Sequence, residues 1–150
     1  MKVIYKRVAG LDVHKKTVVA TRMQVNEEER LVWETQTFGT TTPDLLVLHD
    51  WLAEWSCTHV AMESTGDYWK PVYNILEDTF ETWVVNARHV KNVPGRKTDV
   101  KDCEWIAQLL QHGLLKASLI PQRAQRDLRD LTRHRSQLVG EKTRAGNRVQ

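Results

Sequence analysis

The sequence predicts an α/β fold built on one mixed five-stranded sheet flanked by helices. Three observations point there. The first forty residues hold three β-prone segments separated by polar turns. The following seventy alternate helical segments with short apolar ones. The chain, 150 residues and 41% hydrophobic with six tryptophans, is also long and apolar enough to bury a core.

Val3 to Val13 reads as the first strand and Thr17 to Val25, rich in β-branched residues, as the second, with His14, Lys15 and Lys16 connecting them. Asn26 to Arg30 is a polar turn, and Leu31 to Phe38 alternates as a third strand, so the three form an antiparallel meander. Thr42-Pro43-Asp44 starts a helix, with Thr41 or Thr42 as cap. Leu45, Leu48, Trp51, Leu52 and Trp55 recur at helical spacing and carry that helix from about Pro43 to Trp55. His59 to Met62 is a short apolar strand ending at Glu63. Ser64-Thr-Gly66 then turns the chain into a helix of about Tyr68 to Glu77, and Thr82 to Val85 is the fifth strand.

Residues 86–98 are basic and broken by Pro94-Gly95, which predicts a loop, long for a connector and for that reason functional. Asp99 to Gln111 is helical, with Ile106, Leu109 and Leu110 on its apolar side and Gly113 as its stop. After Pro121 a basic helix begins. Leu128, Leu131, Leu138, Ala145 and Val149 sit at heptad-like positions interrupted by Arg135 and Lys142, the start of a coiled-coil arm. The order β-β-β-α-β-α-β-α, with the last two strands entered through right-handed crossovers, is the ribonuclease-H-like plan. The expected division is a catalytic unit over 1–117 and a basic helix over 118–150.

Composition narrows the function classes. Cys57 and Cys103 lack any C-x-x-C spacing and the six histidines never pair at zinc-site spacings, so structural zinc is not expected and a reduced, cytoplasmic compartment is. The N-terminus has no signal-peptide stretch, and no run approaches the roughly 18 apolar residues of a membrane span. The net charge of +3 is unevenly spread: eight of 22 Lys and Arg but three of 19 Asp and Glu fall in the last thirty residues, leaving +5 there and −2 on the other 120. A basic stripe beside an acidic body suits phosphates held in one region and chemistry in the other, although a merely solvated helix face has the same composition.

Four acids stand where acid is costly. Asp12 lies inside an apolar strand and Glu63 at the end of another, while Asp99 and Asp102, three apart, open a helix. An ionised carboxylate taken out of water needs a cation or several donors. Each acid has an ordinary explanation as well: Asp99 and Asp102 suit a helix N-terminus, and Glu63 suits a cap for the following helix. In the ribonuclease-H-like order, however, Asp12 and Glu63 fall on adjacent strands. If all four converge, oxygen-only ligation favours magnesium or manganese, and phosphodiesters are the usual substrates of such centres. His14 is placed to touch the scissile phosphate or carry a proton, or else is an exposed turn histidine. Lys15, Arg88, Lys91, Arg96 and Lys97, with Arg123, Arg126, Arg129 and Arg133 on the last helix, are candidate nucleic-acid contacts.

The residues now reached carry a resemblance over almost the whole chain. Gly10-Leu-Asp12-Val-His-Lys15, Glu63-Ser-Thr-Gly66-Asp-Tyr68 and the run from Asn86 through Arg96-Lys-Thr-Asp99-Val-Lys-Asp102 resemble the N-terminal domain of the DEDD transposases of the insertion-sequence-110 family. The resemblance implies a RuvC-like domain whose tetrad Asp12, Glu63, Asp99 and Asp102 binds magnesium. It also implies DNA recombination guided by a structured RNA, in a homo-oligomeric assembly. Family members continue through a coiled coil into a second domain with a nucleophilic serine, so this chain is expected to be an N-terminal portion, and Ser64, Ser118 and Ser136 are not assigned that role. Three alternatives stay open: a nucleic-acid-binding and assembly module without independent catalysis, a stand-alone Holliday-junction nuclease and, more remotely, half of a sugar-kinase-like ATPase.

Overall fold

The structure, a computed structural model, describes residues 2–96 and 99–118. Lys97, the basic helix with Arg123, Arg126, Arg129 and Arg133, and the coiled-coil arm lie outside the described residues.

Nine elements follow in order: β1 (Arg7–Val13), β2 (Thr17–Val25), β3 (Leu31–Gly39), α1 (Thr42–Glu54), β4 (His59–Ser64), α2 (Trp69–Leu76), β5 (Glu81–Val84), α3 (Ala87–Asn92) and α4 (Asp102–Gln111). They form one five-stranded sheet in the order β3-β2-β1-β4-β5. β1, β2 and β3 pair antiparallel as the predicted meander, whereas β4 runs parallel to β1 and β5 parallel to β4. Among the described residues no helix is long and apolar enough to cross a membrane.

Alternation along β1 assigns the two faces. Val8, Gly10 and Asp12 point one way, and Ala9, Leu11 and Val13 the other. Gly10 meets α4: a Cβ there would collide with the Cys103 carbonyl oxygen and crowd the Ala107 amide nitrogen at 2.5 Å. Glycine is what lets the helix backbone come this close to the strand. The same face buries Val8, Met23, Ala61 and Val90 against Ile106, Ala107 and Leu110 of α4. On the opposite face α1 docks through Leu45, Leu48, Trp51 and Leu52, all buried. That face also holds a buried cation. The Arg22 guanidinium lies between the indoles of Trp51 and Trp55, 4.4 and 4.3 Å from their centroids, donates to Trp51 O at 2.7 Å and pairs with Glu34 at 2.9 Å. Arginine suits this position because its planar group stacks and donates at once.

Local structure departs from the sequence expectations at four places. β1 begins at Arg7 rather than Val3, because the amides of Ile4 and Tyr5 both donate to Gln111 O, at 2.9 and 3.1 Å, and this diverts the chain from the sheet to the end of α4. The expected loop 86–98 opens as α3: Asn86 caps it by accepting from the Arg88 amide at 2.8 Å, and Val90 is buried beneath it. Pro94 ends that helix by forcing Val93 into extended backbone, ψ 123°. β4 continues through Glu63 to Ser64, so Glu63 lies within the strand. α4 begins at Asp102, not Asp99. Its first bond runs from the Trp105 amide to Lys101 O, while Val100 O is taken by the Arg96 guanidinium at 2.6 Å. Asp99 is therefore an exposed turn residue, and the helical i, i+3 relation expected of Asp99 and Asp102 does not hold.

Candidate acidic site at the strand ends

Asp12 and Glu63 are register partners on adjacent parallel strands and so project from one face of the sheet. That face is the one α4 covers, and the close approach at Gly10 brings the first turn of α4, with Asp102, over the carboxyl end of β1. A cleft of about 480 Å³ opens there, lined by Asp12, Thr37, Arg96, Lys101, Asp102 and Cys103. Ligands of open α/β sheets bind at this end of the strands.

The electrostatics tie three of the acids together. Burial pushes the Glu63 carboxyl above its ordinary range, and the negative charges of Asp12 and then Asp102 push it further; Lys91 and His14 act in the opposite direction. The cluster thus carries more negative charge than its surroundings neutralise. Two basic side chains already lean on it. His14 Nε2 stands 3.0 Å from Asp12 Oδ2, and Arg96 Nη2 is 2.7 Å from Asp102 Oδ1. His14 is half exposed, as its turn position predicts.

The sequence-predicted residues thus divide. Asp12 and Glu63 are neighbours in the sheet, Asp12 and Asp102 line one cleft, His14 and Arg96 pair with Asp12 and Asp102, and Lys91 acts electrostatically on Glu63. Asp99 stands apart in its turn, and Lys15 and Arg88 are exposed, Lys15 in the turn after β1 and Arg88 on α3. Lys101 and Thr37, not singled out in the sequence, line the cleft. Adjacency to Asp102 was the available signal for Lys101, but Thr37 reaches the cleft through pairing with β2 across the sheet, which no local pattern encodes. Behind the cleft, Thr21 Oγ1 donates to the buried Cys103 Sγ at 3.2 Å and lies 2.7 Å from Thr35 Oγ1, a bond that pins α4 to the meander.

The donor set suits a hard divalent cation: carboxylate oxygens on a partly buried, electrostatically strained strand end. Among the described residues no three His, Cys, Asp or Glu side chains stand close enough to hold a metal as they are. Arg96 meanwhile engages one carboxylate oxygen of Asp102.

Sheet order, crossover helices and acids at the ends of the two central strands define a ribonuclease-H-like domain of the RuvC type. A solved structure agrees on the fold. Thermus thermophilus RuvC in complex with a Holliday junction substrate superposes with a TM-score of 0.51 at 11% identity, covering 75% of this chain and 99% of that one. A second Thermus thermophilus RuvC structure gives 0.45 at 14% identity over the same shares. No curated protein matches the sequence. The family model of the IS110-type DEDD transposases, described as Transposase, matches residues 9–150, and the chain belongs to that family. Family and fold together support a nuclease or transposase type of function.

Proposed function

We propose that this domain supplies the carboxylates of a metal-dependent phosphodiester-cleaving centre in a DNA transposase. The observation that carries this is the convergence of Asp12 and Glu63, paired in register, with Asp102 from the first turn of α4. Asp12, Glu63 and Asp102, with Asp99 from the exposed turn as a fourth carboxylate, would hold magnesium or manganese. Such a cation, when bound, polarises the phosphodiester and lowers the pKa of an attacking hydroxyl. The chain's own residues do the remainder. Glu63 acts as a ligand in its ionised form, His14 holds Asp12 in place and is the proposed proton carrier, and Arg96 exchanges Asp102 for a phosphate oxygen as substrate enters.

DNA is the proposed substrate, and a branched form is suggested by the junction held by the RuvC neighbour. A structured RNA and further copies of the chain are the proposed partners, supported by family membership and by the basic residues Lys91 and Arg96 beside the acids. The cytoplasm, alongside the nucleoid, is the proposed location. A nucleic-acid-binding module without catalysis is the alternative, favoured by the Arg96–Asp102 pair that now engages one ligand.

The test is a manganese titration of the chain with and without a DNA duplex. Asp12→Asn and Glu63→Gln are expected to weaken binding at least tenfold. Equal affinity in wild type and both variants would remove the metal centre and leave the alternative.

A further inference from the structure

A second cleft, of about 390 Å³, lies outside the acidic site. Two segments distant in sequence build it. α3 contributes Asn86, Arg88, His89 and Asn92, and the strip following α4 contributes Lys116 and Ser118. The strip is held against β5 and α3 by an antiparallel bridge between Val85 and Ala117, by the Ser118 amide donating to Val84 O at 2.7 Å, and by His89 Nε2 at 3.2 Å from Leu114 O. A carbonyl only accepts, so Nε2 carries the hydrogen.

The lining has a single chemical sense. Arg88 and Lys116 are cationic, and among the described residues no carboxylate lines the cleft. Asn86 already accepts the Arg88 amide with its Oδ1, which leaves its NH2 as the group with bonds to offer. Asn92 and Ser118 add further polar side chains. Two cations with neutral donors around them suit a phosphate group, and the volume leaves room for the attached sugar.

Its position relates it to the acids. The cleft lies past the carboxyl end of β5, the strand beside β4, so it is one strand from Glu63 and two from Asp12. At a strand spacing of about 4.8 Å this is roughly 5 Å and 10 Å along the sheet. A strand crossing the carboxylates along the sheet would therefore bring a neighbouring backbone phosphate to the cleft. We propose that the Arg88–Lys116 cleft seats a backbone phosphate of the nucleic-acid strand that crosses the carboxylates, near the phosphate held there. This extends the proposed function and rests on it for the strand's path. The cleft grips the backbone without reading bases.

The test uses the full chain, with Arg88→Gln, Lys116→Gln and the double variant, and fluorescence anisotropy of short DNA and RNA duplexes of one sequence across a salt series. The double variant is expected to bind about tenfold more weakly, with the slope of log affinity against log salt reduced by about 1. Arg88→Lys, which keeps the charge, should recover most of the loss. A loss confined to the DNA probe or to the RNA probe assigns the strand; a loss on both assigns the shared backbone. Unchanged affinity and slope on both probes, in variants with wild-type circular dichroism, overturns the proposal, as does a wild-type chain that binds neither. Manganese affinity measured without nucleic acid is expected to be the same in these variants, so a failed phosphate seat is distinguishable from a failed metal centre.

Discussion

Asp12 and Glu63 stand side by side, register partners in the parallel pairing of β1 with β4, with both side chains on the face that α4 covers. Two like charges on neighbouring strands are destabilising unless something compensates. The compensation visible in the fold is partial: His14 on Asp12, and Lys91 acting at longer range on Glu63. The site therefore holds a cost that folding alone does not remove.

Replacing Glu63 by glutamine should expose that cost. Burial, then the charges of Asp12 and Asp102, raise the Glu63 carboxyl above its ordinary value of 4.5. A raised carboxyl favours the folded state fully below the unfolded value, and that contribution is lost as pH rises through the folded one. Near neutral pH the ionised group thus works against folding, and Glu63→Gln is expected to be more stable by about 0.5 kcal/mol, a small figure because the group is partly exposed and screened. At pH 3 the two proteins should unfold alike. Urea midpoints at both pH values check this, and a variant less stable than wild type at pH 7 would contradict it.

Gly10→Ala tests how α4 is held. The added methyl meets helix backbone, which cannot rotate away as a side chain can. Overpacking of this kind costs about 1–3 kcal/mol, and more where backbone must move. The expected outcome is a lower urea midpoint together with weaker manganese binding, since lifting α4 carries Asp102 from Asp12. Full stability with unchanged metal affinity would mean that this contact does not position the acid.

Arg96→Gln should separate the two duties assigned to that side chain. The pair with Asp102 is exposed, so folding stability is expected to change by less than about 0.5 kcal/mol. Releasing Asp102 should raise manganese affinity about two- to fivefold without nucleic acid, the equivalent of a surface pair worth 0.5–1 kcal/mol. Duplex binding should weaken in the same variant. Calorimetry and anisotropy give the two numbers, and a fall in both affinities would show that Arg96 helps to build the metal site.

The cysteines are expected to be silent. Burial pushes the Cys57 thiol up to about 12 and raises Cys103 as well, so at pH 8 roughly one Cys57 in 10⁴ is thiolate. Iodoacetamide should label neither in the native protein and both in guanidinium. Rapid native labelling of Cys103 would show that the acidic cleft opens deeply enough to expose its floor.

The sheet and most of its helices were legible because their signals are local. The periodicity of α1, the Thr41 to Asp44 start and the alternation in β2 need no tertiary information. The errors lie where tertiary contacts decide. Ile4 and Tyr5 look like strand but bond to Gln111, and residues 86–98 look like loop yet begin with a helix stabilised by one asparagine cap and one buried valine. Asp99 and Asp102 look like one helical face, but a guanidinium six residues upstream of Asp102 claims the carbonyl of Val100. At the site, Asp12, Glu63 and Asp102 were recognisable as misplaced acids. The cleft of Arg88 and Lys116 was not, because its halves meet through the Val85–Ala117 bridge and the Ser118 and His89 hydrogen bonds, all tertiary contacts.

The packing of α4 on β1 also fixes when the site comes into being. Asp12 and Asp102 are 90 positions apart in the chain. The helix that carries Asp102 is clasped at its far end by Ile4 and Tyr5, among the first residues made. Contacts of such sequence separation form late, and synthesis proceeds at about 5–20 residues per second. During translation the meander and the β4 crossover can assemble while α4 is still inside the ribosome. The nascent chain thus presents paired carboxylates without their third member for several seconds, and the acidic centre is completed only near the end of this unit's synthesis.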